Sequence, residues 1–362
     1  MARKKTAAVT QIVPEGYTYN ELRSLLSTTL RSKISVLLRG HPGVGKSSLA
    51  RELAQEMNLP LIDIRLAQRD PAELCGVYFP CHDRQELKLF PPEWVGQAKE
   101  RPCFVFLDEI NAAVTRLHQA AAYQIVLEHR VGPFEFHPDT VVMGAGNLEE
   151  DNAIVSSLSS ALCNRFAHFI MRPDVGSWLE WGARNDIDEA ILAYIGHVGV
   201  SALYENNDEF AFPTPRSWEM ASKVYRNAHP DDRKRVVAAC IGPSAADHFF
   251  TFHKIFGQVD VEGIVNKGQK MDFSKGKNAE PSFIYAAVFA VAAYVCGLPT
   301  LVADQAANFV KFLGSAGLDT EYKILFLRQV NSRSKALDLL KPIREFQKLA
   351  GSLVDIQAKI YQ

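Results

Sequence analysis

The chain of 362 residues has only six cysteines, and they are scattered along its length. This usage argues against a disulfide scaffold and favours free thiols in a reducing compartment, so we expect a cytoplasmic protein. Cys75, Cys81 and His82 together have the residue types of a zinc site, but no second pair of ligands at metal spacing follows them. We therefore do not expect a zinc centre.

An excess of charge of one sign is also lacking. The 40 Lys and Arg residues are balanced by 41 Asp and Glu residues, which gives a formal net charge of −1. No overall basic field is present to attract nucleic acid. The segment 267–277 (KGQKMDFSKGK) is a local exception, and we interpret it as an exposed connection.

Uninterrupted apolar segments are rare. Residues 283–303 carry no charge and are long enough to span a bilayer, but Gly297 and Pro299 interrupt them. This composition predicts a buried helix that ends near Cys296, in a protein without membrane spans. No apolar region follows the basic Met1–Lys5, so we do not expect a secretory signal peptide.

Apolar runs and helical patterns alternate up to Pro173, which is typical of an α/β domain. The predicted strands are Ile34–Leu38, Leu61–Leu66, Cys103–Leu107, Thr140–Gly144 and His168–Met171. They predict a five-stranded, mostly parallel sheet with helices between the strands, while the Gly- and Pro-marked residues 70–90 are predicted to form a loop. Beyond Pro173 only helical patterns remain. We divide the chain into a lead-in (1–30), an α/β domain (31–175), a helical lid (176–256) and a helical C-terminal extension (257–362).

The segment Gly40–Ser47, GHPGVGKS, matches the phosphate-binding pattern G-x-x-x-x-G-K-[ST]. It follows a predicted strand and opens a helix-prone run, which is the context that a P-loop requires. Its glycines allow successive backbone N–H groups to surround phosphate oxygens, and the helix N-terminus adds partial positive charge. We expect Lys46 to reach the outer phosphates and Ser47 to place its hydroxyl on Mg²⁺. The predicted nucleotide-binding residues of this loop are Gly40, His41, Pro42, Gly43, Val44, Gly45, Lys46, Ser47 and Ser48.

Two carboxylates, Asp108 and Glu109, directly follow the apolar run Phe104–Leu107. Asp108 is predicted to hold Mg²⁺, directly or through water. Glu109 is placed to polarise a water molecule for attack on a γ-phosphate. An acidic helix cap after a strand is the alternative. The P-loop upstream favours the metal site.

Three further polar residues complete the candidate site. Asn147 follows a predicted strand, and because the carboxyl ends of parallel strands share one edge, we expect it to face the same crevice as Asp108. Its amide can position the attacking water or bind a γ-phosphate oxygen, although a turn residue after glycine is the alternative. Arg165 and Arg216 are candidates for stabilising transition-state charge, and each can also be read as half of a surface ion pair.

In combination, these motifs resemble those of an AAA+ ATPase, and their details resemble the MoxR branch, which includes CbbQ- and NorQ-type activators. The resemblance covers about residues 30–230. It is carried by Gly40–Ser47, Leu107–Asn111, Gln119, Leu127–Val131, Gly146–Asn147, Asn164–Phe166 and Thr214–Arg216. This chain departs from the branch at Cys163-Asn164-Arg165, where many relatives have an acid before the arginine.

The resemblance implies an Mg²⁺-dependent ATPase that remodels a partner protein, often one with a von Willebrand factor A domain. It implies that Asn147 is sensor 1, that Arg165 is an arginine finger offered to the neighbouring subunit, and that Arg216 is sensor 2 in the lid. Because the finger would complete the neighbour's site, it also implies a ring, most often a hexamer. The segment 130–139 is similar to the family's hairpin insertion, a candidate for contact with the client. The choice of ATP over GTP rests on this resemblance alone.

Two alternatives stay open at this point. An AAA+ nucleic-acid motor or loader is opposed by the charge balance, although the basic segment 267–277 keeps it in consideration. A nucleotide switch that does not hydrolyse its ligand is the other, and the presence of Glu109 and Asn147 argues against it.

Overall fold

The computed structural model describes residues 16–81, 86–112, 115–148, 158–205, 210–298 and 302–331, with 346, 347 and 351. The chain separates into two compact units, Met1–Arg172 and Pro173–Gln362. The second unit contains both the predicted lid and the predicted extension, and their subdivision stays a prediction. Most of the lead-in before α1 and most of the chain after residue 331 lie outside the described residues.

The first unit alternates helices and strands. Its helices α1–α6 are Tyr19–Arg31, Lys46–Glu56, Pro71–Cys75, Glu93–Glu100, Arg116–Tyr123 and Ser160–Cys163. Its strands β1–β9 are Val36–Gly40, Leu61–Arg65, Val77–Cys81, Glu86–Phe90, Phe104–Asp108, Arg130–Val131, Phe134–Glu135, Val141–Gly146 and Ala167–Met171. A π-helical turn, Gln124–Glu128, extends α5.

Five strands form one sheet in the order β2-β5-β8-β1-β9, and all of its pairings are parallel. This confirms the predicted five-stranded α/β architecture. The central strands β5 and β8 are buried almost throughout, as expected for continuous apolar runs covered on both faces. Leu107 lies opposite Gly144 and Leu38 opposite Ala145, so the carboxyl ends of three neighbouring strands lie together.

The helix that precedes the sheet shows how local sequence sets element boundaries. Thr18 and Glu21 form a capping box at the start of α1, in which the Glu21 carboxylate accepts a hydrogen bond from Thr18 N–H at 2.8 Å. Leu22, Leu26 and Leu30 recur every fourth residue and are fully buried. A single apolar stripe of this kind docks a helix on the unit's core.

The prediction of a loop over residues 70–90 is wrong for much of that range. The short helix α3 is followed by an antiparallel hairpin, in which Val77 pairs with Phe90 and Cys81 with Glu86. We call β3 and β4 together the exposed hairpin. Most of its side chains are exposed on both faces. In β3 apolar and polar residues do not alternate, so this strand lacks the sequence pattern that marks a half-buried strand. The segment 130–139, which is similar to the family's hairpin insertion, contains a short hairpin formed by β6 and β7.

The described part of the second unit is helical, with one isolated bridge between Asp272 and Ala316. Helices α7–α16 are Val175–Arg184, Glu189–Val198, Val200–Leu203, Pro215–Asn227, Arg233–Ile241, Pro243–Phe256, Val261–Val265, Pro281–Gly297, Ala303–Leu313 and Thr320–Asn331. One core groups Trp218, Tyr194 and Phe249, and a second groups Phe309, Phe312 and Phe326. Helix α14 contributes residues to both cores, which confirms the prediction of a buried helix.

The structure bears on two features that the sequence does not lead us to expect, a membrane span and a zinc centre. Within those ranges, no helix combines the length and apolarity needed to cross a membrane. Within the same ranges, no group of three or more His, Cys, Asp or Glu side chains is arranged to hold a metal ion. Cys75 and Cys81 are free thiols, and His82 lies outside the described residues.

Candidate active site

The P-loop connects the end of β1 to the start of α2. Gly43 has a φ of 77° and Gly45 a φ of 106°, in the left-handed region that glycine adopts without steric cost. Gly45 is the N-cap of α2, so the loop delivers the chain directly to a helix N-terminus. Gly40 lies at the end of β1, His41 and Pro42 lie in the loop, and Val44 packs inward with 7% of its surface exposed. This backbone can surround an anion in the way that phosphate-binding loops do.

Lys46, the first residue of α2, is buried, with 8% of its surface exposed. Its Nζ donates hydrogen bonds to Gly40 O at 2.6 Å, to His41 O at 2.9 Å and to Asn147 Oδ1 at 2.9 Å. A buried ammonium group requires such partners because desolvation of an unpaired charge is costly. The ammonium group therefore links the P-loop to the end of β8.

Ser47 and Asp108, the two predicted metal ligands, are in contact. Ser47 Oγ donates a hydrogen bond to Asp108 Oδ2 at 2.8 Å, although the residues are 61 positions apart. A hydroxyl and a carboxylate are oxygen donors of the type that Mg²⁺ prefers. The donor set on α2 and β5 therefore fits Mg²⁺. Ser48 follows Ser47 in the first turn of α2.

Glu109 adopts an unusual backbone conformation directly after β5. Its φ is 55°, which places a non-glycine residue in the left-handed region. Its N–H donates to Asp108 Oδ1 at 2.9 Å, and the next N–H, that of Ile110, donates to Ala145 O at 2.9 Å. Strained residues of this type occur often at functional sites, where the surrounding structure holds them in place.

Asn147 lies one residue beyond β8, with its side chain directed to Lys46. Its backbone is held by Asn111, which is buried on the turn after β5. Asn111 is not among the predicted site residues, although it ends the segment Leu107–Asn111 that carries part of the family resemblance. The only signal for it in the sequence is a polar amide three residues beyond Asp108.

The two arginines lie outside this network of hydrogen bonds. Arg165 follows α6 and is exposed, and its guanidinium lies 5.8 Å from the centre of the Tyr123 ring, with Nη2 donating to Tyr123 Oη at 3.3 Å. Arg216 is the second residue of α10, in the other unit, and is exposed. The structure thus connects Lys46 with Asn147 and Ser47 with Asp108, and it places Glu109 next to Asp108.

Comparison with known proteins supports this description of the first unit. Residues 36–174 match the sequence model of the "ATPase family associated with various cellular activities (AAA)". The chain is 25% identical to midasin from Giardia intestinalis over 225 residues, which are 52% of this chain and 4% of midasin. It is 30% identical to the peroxisomal ATPase PEX6 from Arabidopsis thaliana over 90 residues, which are 25% of this chain and 9% of that protein.

The chain therefore spans only a small part of the relatives that it matches. Among solved structures, a RuvB variant from Thermotoga maritima is similar to 70% of this chain and 80% of that chain, with 16% identity and a TM-score of 0.40. The family match covers the P-loop, Asp108, Glu109, Asn147 and Arg165, and it ends near the boundary between the two units. Residues 36–174, which are less than half of the chain, are thus similar in sequence to the AAA ATPase family.

Proposed function

We propose that this protein is an Mg²⁺-dependent ATP hydrolase of the MoxR type that remodels a partner protein. One observation carries the proposal. The groups needed to hold phosphate, metal and attacking water lie together at the carboxyl edge of the sheet, connected by the Lys46–Asn147 and Ser47–Asp108 hydrogen bonds. Ligands of open α/β sheets bind at this edge.

Each residue has a distinct proposed task. The P-loop backbone and Lys46 bind the phosphates, and Ser47 with Asp108 holds Mg²⁺. Bound Mg²⁺ would supply charge neutralisation on the phosphate oxygens. Glu109 accepts a proton from the attacking water, and the Asn147 amide orients that water or a γ-phosphate oxygen.

A comparison of ATP turnover between wild-type protein and a Glu109 variant tests whether the protein hydrolyses ATP. Glu109→Gln removes the base but keeps the size of the side chain, so we expect ATP hydrolysis to fall by about 100-fold or more while nucleotide binding is retained. Glu100→Gln, at the exposed end of α4, is the matched control and should leave turnover unchanged. Wild-type turnover no higher than that of Glu109→Gln would contradict the proposal.

We further propose that the protein acts as a ring, most often a hexamer, in which Arg165 completes the site of the neighbouring subunit. The supporting observation is that Arg165 is exposed and that its guanidinium contacts Tyr123. Arg216 is proposed as sensor 2, contributed by the helical unit. Arginines in these positions stabilise charge on the transferred phosphoryl group.

A mixing experiment separates a finger that acts in the neighbouring subunit from one that acts in its own. Arg165→Ala should abolish turnover and keep nucleotide binding, and Lys46→Ala should abolish both. If Arg165 acts across the interface, mixed rings of the two inactive variants regain hydrolysis, because an intact P-loop then meets an intact finger. No recovery in verified mixed rings would place Arg165 in its own subunit's site.

The exposed hairpin supports a protein client. Five of its large apolar side chains, Val77, Tyr78, Phe79, Leu87 and Phe90, are each 46–68% exposed. Phe79, Phe90 and Trp94 are among the residues that line a concavity of about 500 Å³ at the base of this hairpin. Apolar surface of this kind usually marks a protein contact. That the client carries a von Willebrand factor A domain stays a prediction from the family resemblance.

The alternative is an AAA+ motor that acts on nucleic acid. Lys267, Lys270, Lys275 and Lys277 are all exposed on one segment, which favours an anionic partner. If nucleic acid is the client, filter binding should show an affinity that falls steeply with salt concentration, because neutralised phosphates release counterions. A weak affinity with little dependence on salt would favour the protein client.

A further inference from the structure

Asn111 lies on the turn after β5, and only 6% of its surface is exposed. Its side-chain amide forms two hydrogen bonds with the backbone of one residue, Asn147. Nδ2 donates to Asn147 O at 2.9 Å, and Asn147 N–H donates to Asn111 Oδ1 at 3.1 Å. We propose that Asn111 is a positioning residue for hydrolysis, which holds Glu109 and Asn147 in a fixed relation across the end of the sheet. This inference rests on the proposed ATPase function.

The hydrogen bonds around Glu109 explain how this works. The ladder between β5 and β8 ends where Leu107 lies opposite Gly144. Beyond it, Ile110 N–H donates to Ala145 O at 2.9 Å, and the Asn111 amide then serves as the partner of the Asn147 backbone. The chain is therefore attached to β8 before and after the pair Asp108–Glu109.

This double attachment accounts for the left-handed φ of 55° at Glu109. A left-handed conformation costs a non-glycine residue roughly 1–2 kcal/mol, so it persists only where neighbouring contacts impose it. With Asn111 anchored on Asn147 and Ile110 on Ala145, the chain between Leu107 and Ile110 has to bulge away from β8. Glu109 is presented at the tip of that bulge.

Gly146 is the counterpart of Asn111. A Cβ atom built at Gly146 would lie 2.4 Å from Asn111 Oδ1 and 2.9 Å from its Cγ. Any side chain at position 146 would therefore displace the amide from the Asn147 backbone. Asn111 and Gly146 form a matched pair, which can be disrupted from either side.

The link continues to the P-loop because Asn147 Oδ1 accepts a hydrogen bond from Lys46 Nζ at 2.9 Å. Without Asn111, the backbone of Asn147 loses two hydrogen bonds, and its amide is no longer fixed relative to Glu109. The phosphate-binding backbone, by contrast, keeps its own glycine geometry. We therefore expect a loss in kcat rather than in nucleotide affinity, since misplacement of about 1 Å can cost about 100-fold in rate.

The experiment uses the full chain with Mg²⁺-ATP and compares kcat with the nucleotide Kd. Asn111→Leu should lower kcat by about 10- to 100-fold, with Kd within about threefold of wild type. Gly146→Ala should give the same split and provides a second route if Asn111→Leu does not fold. The double variant should be no worse than the more affected single variant, because both changes break one contact.

Asn308 in the helical unit offers a matched control. Its Nδ2 donates to Val265 O at 3.1 Å, and a Cβ atom at Gly268 would lie 2.5 Å from its Oδ1. Asn308→Leu thus breaks a similar pairing of asparagine and glycine away from the proposed chemistry. It should lower the melting temperature without lowering kcat.

The outcomes separate this inference from the proposed function. Full turnover in Asn111→Leu, or a parallel loss of kcat and nucleotide affinity, overturns the positioning role while the ATPase proposal stands. Wild-type protein that shows no Glu109-dependent turnover overturns the ATPase proposal itself. A loss of kcat in Asn308→Leu equal to that in Asn111→Leu would show that general destabilisation, rather than positioning, lowers the rate.

Discussion

In the α/β unit, the buried side chains of Lys46 and Asn111 join separate segments at the end of the sheet, whereas in the helical unit the buried Thr214 side chain caps a helix. Lys46 reaches Asn147 over 101 positions, and Asn111 reaches the same residue over 36. In the helical unit, Thr214 Oγ1 accepts from Ser217 N–H at 3.0 Å and caps α10. Polar networks that join separate strands create a site, while local caps define helix boundaries.

The apolar cores of the two units also differ, in the type of side chain that fills them. The core of the α/β unit is built largely from aliphatic side chains of strands and helices, such as Val105, Leu107 and Ile125. The helical unit instead packs aromatic rings in tilted and edge-to-face arrangements, with Trp218, Tyr194 and Phe249 at centroid distances of 5.7–5.8 Å. Aromatic pairs in such arrangements contribute about 0.5–1.5 kcal/mol each beyond the apolar area that they bury.

The largest effect is expected from Trp218→Ala. Trp218 is fully buried, and its Nε1 donates to Ala202 O at 2.7 Å. Its loss should lower the free energy of unfolding of the helical unit by about 3–5 kcal/mol, from the cavity and the unpaired carbonyl. Hydrogen exchange should report the loss in α8, α10 and α12, with protection retained in β5 and β8.

Met220→Ala is the control, because Met220 lies on the same helix and is 50% exposed. Its effect should stay below about 0.5 kcal/mol. Equal loss of protection in both units after Trp218→Ala would show that the two cores unfold as one cooperative unit. The difference between the aliphatic and the aromatic core would then have no consequence for stability.

The next largest effect is expected from glycine substitutions at two residues with left-handed backbone conformations. These are Glu109 in the α/β unit, with a φ of 55°, and Asp186 after α7, with a φ of 62°. Replacement of either by glycine relieves the backbone, so we expect each variant to gain up to about 1 kcal/mol of stability. Only Glu109→Gly should lose turnover, by about 100-fold or more. Thermal denaturation and ATP hydrolysis, measured on the same preparations, check both.

A destabilised Glu109→Gly would contradict this expectation. It would mean that contacts of the Glu109 side chain, rather than the attachments of Ile110 and Asn111, hold the turn. Asp186 is highly exposed and its ion pair with Arg226 spans 3.6 Å, so losing that pair should matter little.

Much of the α/β unit could be predicted from sequence because its strands are buried on both faces. The predicted strand Leu61–Leu66 differs from β2 by one residue. The first strand was placed two residues too early, at Ile34–Leu38, because its apolar run includes Ile34, which is 50% exposed. Apolar character marks a strand well, but it does not show which of its residues pair.

Parts of the candidate site could not be predicted for equally physical reasons. The P-loop and the two acids follow from local patterns, and the position of Asn147 follows from the common edge of parallel strands. The role of Asn111 depends on a side-chain amide that contacts a distant backbone, for which no local pattern exists. The exposed hairpin has a weak sequence signal, because apolar and polar residues do not alternate in β3 and alternate over only four residues in β4.

The smallest effect concerns Asp188, which caps α8 by accepting from Ala190 N–H at 2.9 Å. Burial, and then the neighbouring Glu189, raise the pKa of this carboxyl, against the attraction of Arg226. The folded protein therefore holds this proton at pH values where the unfolded chain has released it. The resulting stability is complete below the unfolded pKa of about 4 and is lost as pH rises through the folded pKa.

Asp188→Asn keeps an acceptor for the cap but has no charge to bury. We expect the variant to gain stability relative to wild type as pH rises from about 4 towards 7, by less than about 1 kcal/mol. Urea unfolding at several pH values, followed by helical circular dichroism, measures this difference. A deficit in the variant that grows as pH rises from about 4 towards 7 would show that Arg226 and the helix dipole outweigh the cost of burial. In that case Asp188 would act as a charged partner in the helical unit, and the distinction between local caps there and charged networks in the α/β unit would be weaker.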